Sequence, residues 1–168
     1  MPGKKTSNES QPDNVLYCYD ECLPKQIGEV LARVGFPVLM SEKGLQDEDL
    51  IPWMGEKSLA WITKDDRAKT EHETLLRDAN ISVVWIRGLS HDKKRSGGSM
   101  QRAASMKDIL RMLVNKLDNI TAQISEAKGR PRFFLLYTST RAKNVDQIER
   151  FSTLKEVHDR LAGVLPQR

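Results

Sequence analysis

VLYCYDECLP, residues 15–24, decides how the rest of the chain is read. Val15 to Tyr19 is a short β-rich run with no turn former inside it, and so reads as a buried strand. Pro24 suits the first turn of a helix, and Ile27, Val30, Leu31 and Val34 then fall on one apolar face until Gly35 stops it. The acidic pair Asp20-Glu21 therefore stands where a strand ends and a helix begins. In an open parallel α/β sheet that carboxyl edge is where ligands bind. The competing reading is that Asp20 only caps the helix, since Asp is a favoured cap.

Working outward, the pattern repeats. Phe36 to Met40 reads as a second strand, 41–46 as a loop, and Asp47-Glu48-Asp49 as the opening of the next helical segment. Pro52 is expected to set 47–51 apart as a separate turn before the body of that helix. Leu59 to Thr63 is a third strand, ending in Lys64-Asp65-Asp66-Arg67. A helix over 70–79 turns Leu75 and Leu76 inward, and the almost wholly apolar run Ile81 to Ile86 fits a strand buried on both faces. A glycine-containing polar loop, 88–99, precedes a long amphipathic helix over 100–128 and a fifth strand over 132–138. Thr153 and Glu156 have capping-box spacing for a last helix to about Val164. Strands alternating with helices predict an α/β fold with a mainly parallel central sheet of about five strands.

A chain of 168 residues is long enough for one sizeable core, so 15–168 is expected to form a single domain after a disordered polar arm over 1–14. A net charge of +4 favours an anionic partner without naming one. Cys18 and Cys22 have no neighbouring cysteine or histidine cluster to complete a zinc site, and a reduced setting suits them better than a disulfide. With no membrane-length apolar stretch and no apolar leader core, a cytoplasmic location and no membrane partner are expected.

Three acidic groups share one edge in this layout: Asp20-Glu21 after the first strand, Asp47-Glu48-Asp49 opening the helix before the third, and Asp65-Asp66 after the third. Carboxylates gathered there repel one another unless a cation sits among them. Oxygen ligands suit Mg2+ or Mn2+, which can activate water and clamp a phosphate. Three acid-capped helices would give much the same pattern.

The motifs also carry a resemblance. YDECLP (19–24) resembles the LDxNLP start of the PIN-like domains, the nuclease superfamily of the VapC-type toxins. DEDLIP (47–52) with Gly55-Glu56 resembles the DEEWIP…GE stretch of one bacterial branch, and ITKDDR (62–67) its LTKDxR strand end. The likeness covers about Val15 to Gly88; the portion from 89 to 168 shares only the layout that completes the domain. It implies a three-layer α/β/α PIN-like domain acting as a Mg2+- or Mn2+-dependent endoribonuclease, the toxin of a toxin–antitoxin pair. Its partners would be RNA, a cognate antitoxin protein and a second copy of the chain. By position Asp20, Asp47 and Asp65 would be the catalytic metal ligands, with Glu21, Glu48 and Asp66 as further candidates. Lys64 and Arg67 flank them as candidate RNA contacts that could neutralise the scissile phosphate, or as solvated charges. Cys22 stands where relatives often have Asn, and the fourth acid is open among Asp66, Glu71 and Glu73.

Two other readings accompany this one: a catalytically silent PIN-like module that binds RNA or a protein, and a receiver-like phosphoacceptor, whose order of acids the chain does not follow. The segment from Arg87 to Arg111 is basic, and Lys93, Lys94 and Arg95 are its candidate RNA contacts; a second basic segment runs from Lys128 to Lys143. His72, His91 and His158 are isolated in sequence and read as surface or structural, while Trp53, Trp61 and Trp85 read as core.

Overall fold

The structure, a computed structural model, describes residues 15–65, 71–91, 100–102, 104–139 and 145–161. The 1–14 arm, Asp66, Arg67, Lys93, Lys94 and Arg95, together with the side chain of His91, lie outside the described residues.

In chain order the elements are β1 (Tyr17–Tyr19), α1 (Lys25–Arg33), β2 (Val38–Met40), α2 (Asp47–Glu56), β3 (Ala60–Thr63), α3 (Glu73–Ala79) and β4 (Val83–His91). They continue through β5 (Met100–Arg102), α4 (Met106–Glu126), β6 (Phe133–Ser139), β7 (Val145–Phe151) and α5 (Leu154–Leu161). The strands join in the order β2-β1-β3-β4-β6-β7, with β5 pairing β4 off that path. Every pair from β2 to β6 is parallel, whereas β7 on β6 and β5 on β4 are antiparallel. The parallel part follows the doubly wound order 2-1-3-4-5, whose crevice opens between the first and third strands.

Helices cover both faces, because alternate strand residues point to opposite sides. Tyr17, Tyr19, Ile62, Val84 and Phe134 pack with Ile27 and Leu31 of α1 and with Ile109, Met112, Leu113 and Leu117 of α4. Cys18, Trp61, Val83, Trp85 and Leu135 pack with Leu50, Ile51 and Met54 of α2, Leu76 of α3, and Leu154 and Val157 of α5. Trp61 and Trp85 are fully buried, and Trp53 packs against the second cluster.

Several expectations are corrected. Pro52 lies inside one unbroken α2 rather than dividing it. Its missing N–H leaves the Glu48 carbonyl without a helical donor, a cost of about 3 kcal/mol; Pro52 is exposed, so water can reach that carbonyl, and Leu50, Ile51 and Met54 anchor the helix on either side. The polar stretch after Ile86 is not all loop, since β4 runs on to His91 and pairs with β5. The long helix starts at Met106, because Ser105 and Asp108 form a capping box that stops it extending back to 100. The sheet has two antiparallel strands beyond the five parallel ones. VDQIERF (β7) was missed because its buried inward residue at 146 is an aspartate, which spoils the apolar alternation of a strand.

Candidate functional site at the carboxyl edge of the sheet

The crevice between β1 and β3 holds the first acid. Tyr19 pairs with Ile62, which sets Asp20 beside Thr63 at the carboxyl ends of two adjacent parallel strands. The Asp20 amide donates to the Ile62 carbonyl at 3.0 Å, so its backbone continues the ladder. The residue is only 6 % exposed. Oδ2 accepts from the Thr63 hydroxyl and, at 3.2 Å, from the Cys22 thiol, while Oδ1 accepts a long bond from the Cys22 amide at 3.4 Å. Helix α1 begins only at Lys25, after Pro24, with no side chain capping it. Asp20 is therefore not a helix cap.

Thr63, fully buried, connects two acids: its Oγ1 donates to Asp20 and accepts the backbone amide of Asp65 at 3.0 Å. Cys22 stays a thiol at neutral pH. Burial pushes it up to about 11, against hydrogen bonds from Thr63 and the Lys64 backbone that lower it, with the Asp20 charge and hydrogen bond adding to the rise. It can thus act as a weak donor to Asp20, in the position where an amide stands in the resembling motif.

Glu21 has a different task. Its carboxylate accepts the Gly44 amide at 2.9 Å and so ties the 41–46 loop to the end of β1. That loop leads into the first turn of α2, where Asp47 lies with Glu48 and Asp49. Asp47 Oδ2 lies 3.5 Å from His72 Nε2, just ahead of α3. Burial pushes the Asp47 carboxyl above its ordinary range, and the charge of Asp20 raises it further. The His72 imidazole opposes this, while Asp65 and Glu48 add to it. Asp20 and Asp65, each at or just beyond the end of a strand, thus both act on Asp47 at the start of α2.

His72 is the residue that sequence reasoning missed. It is isolated along the chain, and only the folding of α3 against α2 brings it to Asp47; the Asp47-to-His72 interval carries no motif to announce it. Thr63 was missed as well, though its place at a strand end beside Asp20 follows from β1–β3 pairing. Lys64 is exposed at the rim, Glu71 is exposed and Glu73 heads α3. Arg111 leaves the basic set: its guanidinium bonds Asp108 at 2.8 Å, Asp146 at 3.2 Å and the Thr138 hydroxyl at 3.0 Å. A groove of about 610 Å³, lined in part by Val15, Ser58, Asn80 and Lys128, sits at the amino edge of the sheet, away from these acids.

Carboxylates, with one imidazole beside them, form a donor set suited to Mg2+ or Mn2+. Among the described residues no three of His, Cys, Asp and Glu stand close enough together to enclose an ion. A cage is not what such an ion requires, because Mg2+ usually keeps several waters and takes one or two carboxylates with substrate phosphates. Among the described residues, no helix is long and apolar enough to cross a membrane. No family model, curated protein or solved structure matches the chain.

Proposed function

We propose that the chain is a PIN-like, Mg2+- or Mn2+-dependent endoribonuclease of the three-layer α/β/α kind, acting as the toxin of a toxin–antitoxin pair. The observation that carries this reading is the electrostatic coupling at Asp47, whose carboxyl is raised by burial and by the charges of Asp20 and Asp65. A half-buried carboxylate pushed up by two neighbouring acids from separate elements is an arrangement a divalent ion would relieve. Their position at the β1/β3 crevice, where doubly wound sheets take ligands, supports it further.

In this reading Asp20 and Asp47 hold the ion and Asp65 completes the acidic wall. The bound ion supplies charge neutralisation at the scissile phosphate and a more acidic water. Thr63 and Cys22 fix the rotamer of Asp20 by bonding Oδ2, while among the described residues Oδ1 takes the long bond from the Cys22 amide. Glu21 orients Asp47 indirectly by holding the loop before it. His72 screens Asp47 and fixes its carboxylate on the α3 side. Lys64, exposed at the rim, faces solvent where a phosphate backbone would pass.

Incubating single-stranded RNA with the chain and Mn2+ tests the reading. Cleavage that EDTA stops, and that Asp20→Asn and Asp47→Asn abolish, is the expected result. One observation favours the silent RNA- or protein-binding module instead: the hydrogen bonds already made to Oδ2 of Asp20. RNA left intact across a series of sequences, metals and pH values would decide for that module.

A further inference from the structure

Ser41 follows β2 and reads in the sequence as the first residue of a polar loop, SEKGLQ, where a serine is ordinarily solvated. The fold turns it inward. Its amide donates to the Tyr19 carbonyl at 2.9 Å, which carries the β1–β2 ladder one residue past Met40 and sets Ser41 beside Asp20. Met40 lies over Gly28 on the α1 side, so by strand alternation Ser41 turns to the opposite face. Cys18 packs on that α2 face, and Asp20, two residues on, shares it. Thr63 reaches the same carboxylate from β3. Asp20 thus stands between two strand-end hydroxyls, one from each neighbouring strand.

The two hydroxyls are used differently. Thr63 Oγ1 donates to Asp20 and accepts from the Asp65 amide. Ser41 Oγ is buried, and among the described residues it has no hydrogen-bond partner. A hydroxyl shut away from bulk water and left unpaired is costly, and in native proteins such a group is as a rule met by a bound water or ion. The nearest acids are already engaged: Oδ2 of Asp20 takes Thr63 and Cys22, and the Glu21 carboxylate takes the Gly44 amide. The loop held by that last bond runs from Ser41 to Asp47, so Ser41 joins the Asp20 strand end to the segment that delivers Asp47.

We propose that Ser41 is a positioning residue of the candidate site, its hydroxyl accepting a hydrogen bond from a water on the Mg2+ or Mn2+ carried by Asp20 and Asp47, a role that rests on the nuclease reading of those acids. Mg2+ usually keeps several of its waters, and the protons of each need acceptors. Water on a divalent ion is a stronger proton donor than bulk water, and a serine oxygen has two lone pairs to receive it. A hydroxyl does this without adding a negative charge. Another carboxylate at the same place would press further on Asp47, which Asp20 and Asp65 already push up.

Thermal melts and Mn2+ titrations of the full chain, as the parent, Ser41→Ala and Ser41→Thr, test the proposal. In EDTA, Ser41→Ala should melt no lower than the parent, because it removes a hydroxyl that has no partner there. With Mn2+, its rise in melting temperature should be smaller and its half-saturating Mn2+ concentration about three- to tenfold higher, the range expected for loss of one hydrogen bond. Ser41→Thr, which keeps the oxygen, should bind Mn2+ as the parent does. In water labelled with the magnetic oxygen isotope, broadening of the Mn2+ electron spin resonance counts the waters on the ion, and the count in Ser41→Ala should equal the parent's. One more water in Ser41→Ala would make the hydroxyl itself the ligand and overturns the proposal. Ser41→Ala with the parent's Mn2+ affinity, the outcome if Ser41 only holds a structural water, also overturns it while leaving the metal site standing. A parent that gains nothing from Mn2+ overturns the metal site and this role together.

Discussion

Asp47 and Asp146 show how opposite surroundings set two carboxylates to opposite tasks. Asp47 is pushed above its ordinary range by burial first and then by the Asp20 charge. A carboxyl raised in the folded state lends stability that is present below its unfolded value and lost as pH rises through the folded one. In EDTA, Asp47→Asn should therefore melt no lower than the parent at neutral pH, and any advantage should vanish as the pH falls below about 4. Melts from pH 3 to pH 7 check this; a variant destabilised equally at every pH would contradict it. At Asp146 burial also pushes the carboxyl up, but hydrogen bonds from Arg111, Asn115 and Thr138 outweigh it and hold the group low. Its stabilising contribution is present above the ordinary carboxylate range and lost as pH falls through the lowered value. Arg111→Met leaves Asp146, 7 % exposed, without its cation. Because the Arg111 side chain is 35 % exposed, the expected cost is about 2–4 kcal/mol, somewhat below that of a fully buried pair. Urea unfolding at pH 7 and pH 3 should show that gap at neutral pH and a smaller one in acid. The three acids of the candidate site could be picked out in the sequence because each directly follows or opens a periodic segment. His72 could not, since its role depends on a contact between two helices rather than on spacing.

At the scale of elements, α2 and α3 hold the edge in shape. A Cβ added at Gly55 would meet the Ala79 carbonyl oxygen at 2.8 Å and the Ala79 Cβ at 3.0 Å, so the helices touch backbone to backbone there. Gly55→Ala must part them, at an expected cost of about 1–3 kcal/mol. Because α2 carries Asp47 and α3 follows His72, the same substitution should weaken the pairing of those side chains. A thermal melt checks the first effect, and the His72 imidazole resonances by NMR check the second; an unshifted spectrum in a destabilised variant would show that the site does not depend on this contact. The strands that sequence periodicity reveals are the parallel ones, because burial on both faces gives runs that are almost wholly apolar, such as Ile81 to Ile86. The antiparallel β5 and β7 lack that signature. β7 hides its inward aspartate behind Arg111, a partner contributed by a helix far away in sequence. The first turn of α4 was likewise misplaced, because apolar periodicity alone does not weigh the Ser105–Asp108 box against residues 100–104.

Over the whole molecule, the doubly wound order leaves the carboxyl ends of β1 and β3 adjacent at the switch of strand order, and α2 and the residue before α3 are folded back over that crevice. A separate groove lies at the amino edge. The fold thus sets Asp20 and Asp65 where their charges act on Asp47, holds Asp20 with Thr63 and Cys22, and ties the loop before Asp47 through the Gly44–Glu21 bond. In the proposed function a divalent cation relieves the charge pressing on Asp47. Thermal melts of the parent and of Asp47→Asn, each in EDTA and in millimolar Mn2+, measure it directly, since a ligand that binds only the folded chain must raise its stability. A clear rise in melting temperature is expected for the parent and a much smaller one for the variant. Equal Mn2+ shifts in the two proteins, or none in the parent, would contradict it.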